Sequence, residues 1–340
     1  MGGLSIRSIV TRVLRLFVAT AIAFGFASSA VSQDRFLHFG AKAAGMGGAF
    51  TAVANDPTAF YWNPAGYAFG PAVHGGVTWG ESEMDRGDGL TFKDGAAGFS
   101  LGLTFMGVAG TFSNESSSRV EDGRLSSRGL ETFDLSVSIL QSLPLDDLVI
   151  AGNVHYLRGE GHELFESLSS LSPGEKTPAS VMDRVLDAPG FTSSTASVDL
   201  GALYQPRHWV RLGIMWRRLF EPAFALPSGQ EIVLSRHGRA GAAFFLPRGT
   251  TVSFDVDLSS QGEGDESWRE ISLGAEKRFF DDVLSLRGGV RAETGSGEGA
   301  RPAFSAGVGV RIRFVVAEAA YQGSTGSRDE ALWFGITVSP

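Results

Sequence analysis

The sequence predicts an all-β fold, a transmembrane antiparallel β-barrel of about 14 strands, an even number as such barrels have. Three observations predict it. Apolar and polar residues alternate with a period of two, placing successive side chains on opposite faces of a strand. The connections between alternating segments are short and long by turns. No segment after the N-terminus has the roughly 18 or more continuous apolar residues of a membrane helix.

The chain opens with three arginines, Arg7, Arg12 and Arg15, then the apolar run Leu16 to Ala27 and the small residues Ala30-Val31-Ser32 before Gln33. That pattern predicts a cleaved signal peptide over residues 1–32 and export from the cytoplasm. The full chain carries a net charge of −8, and loss of this leader removes three positive charges and no negative one. A net-acidic chain is poorly suited to nucleic acid, whose binding depends on phosphate neutralisation. Zero cysteines exclude disulfides, thiolate metal sites, cysteine nucleophiles and lipoprotein acylation.

Strand segments follow to the C-terminus. Phe133, Leu135, Val137 and Ile139 oppose Thr132, Asp134, Ser136 and Ser138. Val252, Phe254, Val256 and Leu258 oppose Ser253, Asp255, Asp257 and Ser259, and Phe304 to Ile312 repeats the pattern. With Ala72 to Trp79 taken as the first upward strand, one class of connection is brief: Met106-Gly107, Leu143 to Asp146, Gln205 to His208, Leu246 to Gly249, Phe280 to Asp282 and Arg313-Phe314. The other is longer and polar: Glu81 to Gly89, Ser116 to Arg128, His162 to Thr192, Glu221 to Gln230, Ser260 to Ser267, Gly295 to Arg301 and Gly323 to Asp329. Short periplasmic turns and long outer loops are the expected asymmetry of an outer-membrane barrel. The six tryptophans, Trp62, Trp79, Trp209, Trp216, Trp268 and Trp333, mostly fall near segment ends, where interfacial girdles sit. The last segment, Ala331 to Ser339, is expected to close against the first.

Before the first strand runs Phe39-Gly40-Ala41-Lys42-Ala43-Ala44-Gly45-Met46-Gly47-Gly48-Ala49-Phe50, followed by Ala54-Asn55-Asp56-Pro57-Thr58-Ala59 and Asn63-Pro64-Ala65-Gly66. These roughly thirty residues resemble the opening of the FadL/TodX long-chain fatty-acid transporter superfamily, which secretion-associated barrels of the PorV/PorQ type share. The resemblance implies a hatch over residues 33–69 closing the lumen of a barrel over 70–340. Its signature would be Asn63, Pro64 and Ala65, with Gly45, Gly47 and Gly48 allowing close backbone packing. It further implies an outer-membrane channel for passive uptake of small hydrophobic molecules such as long-chain fatty acids, with exit sideways into the bilayer. The PorV-like alternative binds protein partners in secretion or surface assembly. Outer-membrane lipid and the barrel-assembly machinery are implied partners, and no cofactor is.

The third and fourth long loops match the family's ligand-docking region. Leu164, Phe165, Leu168 and Leu171, then Val181, Met182, Val185 and Leu186, recur at helical spacing. The fourth loop holds Phe220, Phe224 and Leu226. Apolar residues on exposed loops mark either a docking groove or two loops packed together as a lid. Lumen-facing Arg211, Arg217, Arg287 and Arg291, with Asp199, Asp255, Asp257 and Glu318, form either an ion-pair network or, at one or two arginines, a carboxylate receptor. Arg211 and Arg217 are the nominated pair, since their strand leads into the fourth loop.

Other chemistry is weakly indicated. Gly45-Met46-Gly47-Gly48 lacks the third glycine of a dinucleotide fingerprint, because Phe50 stands there. None of the six histidines lies in a His-x-x-x-His pair, and no Gly-x-Ser-x-Gly elbow accompanies them, so no catalytic residue or metal ligand is expected. His155 reads as a satisfied lumen histidine. Glu81, Glu83, Asp85 and Asp88 read as a solvated acidic loop.

Overall fold

Hydrocarbon offers no hydrogen-bond partners, so a sheet that crosses it has to close on itself. In the computed structural model, fourteen strands among the described residues do so, each antiparallel to both neighbours. The structure describes residues 36–85, 90–121, 124–143, 147–167, 169, 182, 184–261, 267–295, 301–324 and 329–339. The leader assigned to residues 1–32 lies outside them, as do Leu168, Leu171, Val181 and Asp88.

The wall begins with β1 (Val73–Asp85), β2 (Leu90–Leu103), β3 (Met106–Glu121), β4 (Arg124–Ser142) and β5 (Leu148–Ser167). It continues through β6 (Gly190–Arg207) and β7 (Val210–Arg217). The chain then leaves the wall for a two-stranded hairpin, β8 (Ala223–Ala225) with β9 (Glu231–Val233). It re-enters at β10 (His237–Leu246), next to β7, and runs on through β11 (Thr250–Asp257) and β12 (Trp268–Phe279). The circuit ends with β13 (Leu284–Gly295), β14 (Arg301–Ile312), β15 (Val315–Ser324) and β16 (Asp329–Val338). β16 pairs with β1, Phe334 opposite Trp79, which seals the barrel as the final segment predicted.

Alternation sets what each face meets. Phe254, Leu273, Val290 and Phe304 stand side by side on β11 to β14 and are 41–50% exposed. Their neighbours Asp255, Ser272 and Arg291 point inward and are at most 4% exposed. Greasy outside and charged inside is the reverse of a soluble sheet protein, and it is the order a lipid-spanning barrel requires.

Several expected boundaries move. Met106 and Gly107 belong to β3, and the turn is 104–105. Glu81, Glu83 and Asp85 belong to β1, so the expected acidic loop is largely strand. Ser116 to Arg128 was expected as a loop, yet β3 and β4 stay in register through it, Ser117 opposite Arg128. Serines on both faces hide the period, while cross-strand hydroxyl contacts such as Ser118 with Ser127 at 2.7 Å hold the ladder. β3, β4, β5 and β6 thus reach 16, 19, 20 and 18 residues, where about 9–11 suffice to cross a bilayer. This side of the wall stands taller than the rest. Gly107 and Gly110 do not open the wall either: they pair in unbroken register with Ser138 and Leu135.

The tryptophans divide. Trp79 and Trp209 are exposed, whereas Trp62, Trp268 and Trp333 are at most 5% exposed. Trp62 lies in the N-terminal segment, and Trp268 and Trp333 occupy inward positions, so a six-residue girdle does not form. The N-terminal segment carries α1 (Ala41–Gly45), α2 (Ala59–Trp62) and a 3-10 helix (Pro64–Phe69), buried against inward-facing residues. Leu273→Arg, on the lipid face midway along β12, is expected to cost about 2–4 kcal/mol. Denaturant titration of barrel refolding in lipid vesicles measures it, and an unchanged midpoint would place that face away from lipid.

Candidate functional site

The lumen is filled from two directions. At its middle sits the segment Phe36 to Gly70. Its rings form a cluster in which Phe36 and Trp62 lie 5.1 Å apart, and Phe39 and Tyr61 also 5.1 Å. Trp62 Nε1 donates to the Phe39 carbonyl at 2.8 Å. Gly47 sits at φ +64°, and a Cβ there would come within 3.1 Å of the Val290 backbone nitrogen. Across from it, a Cβ on Gly289 would meet the Gly47 nitrogen at 2.5 Å. Two glycines facing each other let backbone lie on backbone, which side chains would forbid. Gly45 and Gly48 are likewise enclosed, Gly45 beside the Gly307 backbone and Gly48 beside the His38 ring.

Asn63 ties this segment to the wall. Its Nδ2 donates to the carbonyls of Thr51, Ala202 and Ile214 at 3.2, 3.1 and 3.3 Å, and its Oδ1 accepts from Ala65 N at 3.2 Å. Pro64 begins the 3-10 helix that Asn63 caps. Phe50 N and Thr51 N donate to Asp255 at 3.0 and 2.8 Å.

Charges complete the fit. Arg239, 2% exposed, pairs with Asp255, Asp257 and Glu270 at 3.2, 2.7 and 2.9 Å and donates to the Gly48 carbonyl. Arg291 bridges Glu270 and Asp329 at 3.2 and 2.5 Å. Arg287 joins Glu276 to Glu318, both at 2.7 Å. Gln322 donates to His38 Nδ1, so the His38 Nε2–H donates to Glu270 at 2.9 Å. Burial holds the His38 pKa below its ordinary value, consistent with this neutral tautomer. His155 lies between Asp134 and Asp199, at 3.0 and 2.9 Å. Of the two expectations for Arg287 and Arg291, the ion-pair network is the one the geometry shows.

Arg217 is also paired: its guanidinium lies 3.7 Å from the Tyr61 ring and 4.0 Å from Asp199. Arg211 differs. It packs against the rings of Phe69 and Phe245 at 4.0 and 4.8 Å and donates to Gln205 at 3.0 Å, with no carboxylate in salt-bridge range among the described residues.

The second filling is the β8–β9 hairpin at the long-loop end. Phe224, Leu226, Ile232 and Leu234 are buried with Leu130 of β4 and Leu157 of β5. The hairpin turns at Pro227-Ser228-Gly229, Gly229 taking φ +87°, and Arg128 donates to Gln230 at 2.8 Å. Phe220, just before it, is 71% exposed. Phe224 and Leu226 are therefore latch residues, not exposed loop residues as expected.

The third loop is also rearranged. Leu164 and Phe165 are in β5, so the expected helical repeat does not include them. Met182 and Val185 are helical and buried. A Cβ on Gly129, an outward position of β4, would meet Leu186 and Val185, whereas one on Gly159, an inward position of β5, would meet Phe224. Among the described residues, Val185 and Leu186 of the third loop and Phe224 of the fourth thus lie against opposite faces of one wall. Reasoning from sequence missed Leu130, Leu157, Ile232 and Leu234. The signal was present: leucines at lumen positions of otherwise polar faces, and alternation on both sides of a Pro-Ser-Gly turn.

Comparison with known proteins places the fold. Among solved structures, the chain superposes on the CymD monoaromatic hydrocarbon channel with a TM-score of 0.58 at 14% identity, covering 92% of this chain and 99% of that one. The toluene transporter TbuX of Ralstonia pickettii gives 0.60 at 13% identity, covering 88% and 98%. The toluene transporter TodX of P. putida gives 0.56 at 12% identity, covering 89% and 97%. No family model matches the sequence, and no curated protein does. The shared fold agrees with the resemblance carried by the N-terminal motif. Arg239→Met, which takes the arginine from Asp255 and Asp257 and leaves Glu270 with Arg291 alone, is expected to cost about 3–5 kcal/mol. Thermal unfolding in detergent reads this, and an unshifted melting curve would remove Arg239 from the lock.

Proposed function

We propose that the protein is an outer-membrane channel for passive uptake of small hydrophobic molecules. The observation that carries this reading is the apolar latch inside a polar lumen. Six buried side chains hold the β8–β9 hairpin against β4 and β5, in a barrel whose other inward positions are largely polar. A charged solute gains nothing by entering such a contact. A hydrocarbon or an acyl chain does, because it replaces the apolar area that it displaces. Phe220, exposed beside the hairpin, offers a first landing point.

In this mechanism the solute partitions into the latch, lifts the hairpin, and meets the Phe36 to Gly70 segment acting as a hatch. Passage then needs that segment to shift, and its many polar ties make the step slow and solute-dependent. The wall is in register at Gly107 and Gly110, which supports no sideways exit at that point, and the proposed route runs along the lumen. The solved relatives in fold are named as monoaromatic hydrocarbon channels and toluene transporters, which favours compact aromatic cargo; long-chain fatty acids are the second cargo class. No cofactor or energy source enters the mechanism.

The expected outcome is that the detergent-purified protein binds toluene and oleate, and that cells expressing it accumulate them faster than vector controls. Phe224→Asp, which puts a carboxylate into the latch, should weaken binding at least tenfold. Absence of both binding and accumulation would sink the proposal. Co-purification of a large protein partner without either ligand would favour the secretion-type reading instead.

A further inference from the structure

At the short-turn end, between the N-terminal segment and the wall, lies a cavity of about 370 Å³, within the roughly 300–1,000 Å³ of ordinary ligand pockets. Val53, Pro57, Pro71, Phe245 and Val316 supply its apolar lining. Its carboxylates are already engaged. Glu276 and Glu318 take Arg287 at 2.7 Å each, Asp282 takes Arg278 at 2.9 Å, and Asp56 accepts from Thr58 at 2.6 and 2.8 Å.

Arg211 stands on the same wall with its charge unmatched. Five arginines are buried among the described residues, namely Arg211, Arg217, Arg239, Arg287 and Arg291. The other four each have a carboxylate within 4.0 Å. A buried charge without a counter-charge is costly, so proteins rarely keep one that has no ligand to meet. Arg211 is 6% exposed, and its Nε is occupied by Gln205. Nη1 makes one long contact, 3.5 Å, to the Ala52 carbonyl. The Nη1–Nη2 end remains for a ligand. One further feature points the same way: Arg311, also on the cavity wall, bonds the Ser339 hydroxyl at 3.4 Å and, among the described residues, no carboxylate.

We propose that this cavity binds the carboxylate of a small amphiphilic acid, with Arg211 as the receiving group. The two rings beside the guanidinium and the Gln205 contact hold the fork in place before the ligand arrives, which lowers the ordering cost of binding. The Nη1–Nη2 end presents parallel N–H groups that suit a carboxylate's two oxygens. The apolar lining suits its body. The site sits beyond the hatch from the hairpin latch, where an acid that had crossed the lumen would be held before release. The proposal goes beyond the uptake reading and does not need it, since binding is measured with no flux.

The experiment is calorimetric titration of the full-length protein in detergent with sodium benzoate and sodium octanoate, beside neutral octanol and inorganic phosphate. Both carboxylates should bind. Arg211→Gln should weaken them at least tenfold and leave octanol unchanged. Ser285→Phe, which fills the cavity from β13 without touching the partners of Arg211, should weaken them similarly and guards against a misfolded Arg211→Gln. Phosphate binding as strong as benzoate would overturn the assignment to an organic acid. Benzoate binding that is absent in the wild type, or intact in both folded variants, would overturn the site itself.

Discussion

The bilayer core will not hydrogen-bond a peptide group, and each feature of this molecule answers that constraint. A strand in hydrocarbon needs a partner on both sides, so β16 has to return to β1. Closure then assigns the two faces of every strand to two different solvents. Outward residues such as Phe254, Leu273 and Phe304 meet lipid. Everything polar is driven to the interior, where strand after strand delivers charges into one narrow space.

That crowding explains the N-terminal segment. Buried arginines and carboxylates are costly unless matched, and around Arg239, Asp255 and Glu270 the wall residues are joined by the segment. The segment supplies partners: the Gly48 carbonyl to Arg239, backbone N–H groups of Phe50 and Thr51 to Asp255, and the His38 ring to Glu270. Its glycines at 45 and 47 bring its backbone against β13 and β14, close enough for such bonds to form. Packing and electrostatics are thus one device. The segment fits because the wall has glycines facing it, and it stays because the charges around it are paired.

The tall side of the wall, β3 to β6, serves a second purpose. Above the lipid band its two faces are both free to be covered, and the chain covers them differently. The β8–β9 hairpin lies on the inner face through Phe224 and Leu226, while Val185 and Leu186 at the end of the third loop lie on the outer face. The hairpin is held on the inner face of the wall through apolar contacts and a few polar ones, such as Arg128 with Gln230. The N-terminal segment is held by many directional bonds. The two fillings of the lumen thus differ in chemistry, one apolar and one polar, and under the proposed function an apolar solute loosens the first.

Period-two alternation, the spacing of turns and the absence of long apolar runs determined the transmembrane barrel, its number of strands and which side chains face lipid. These are local properties, because the face of a strand residue depends only on parity. The opening motif was legible in the same way as a segment apart from the wall. Parity could not say how far β3 and β4 extend, since serines on both faces erase the alternation and only cross-strand pairing reveals the ladder. Nor could it tell Arg211 from Arg217, two inward arginines six residues apart on one strand. Their partners, Asp199 and Tyr61 for one and Phe69, Phe245 and a cavity for the other, come from distant parts of the chain. Which charges meet and which loop covers which face were decided only by closure of the barrel, because closure alone brings those residues within bonding distance.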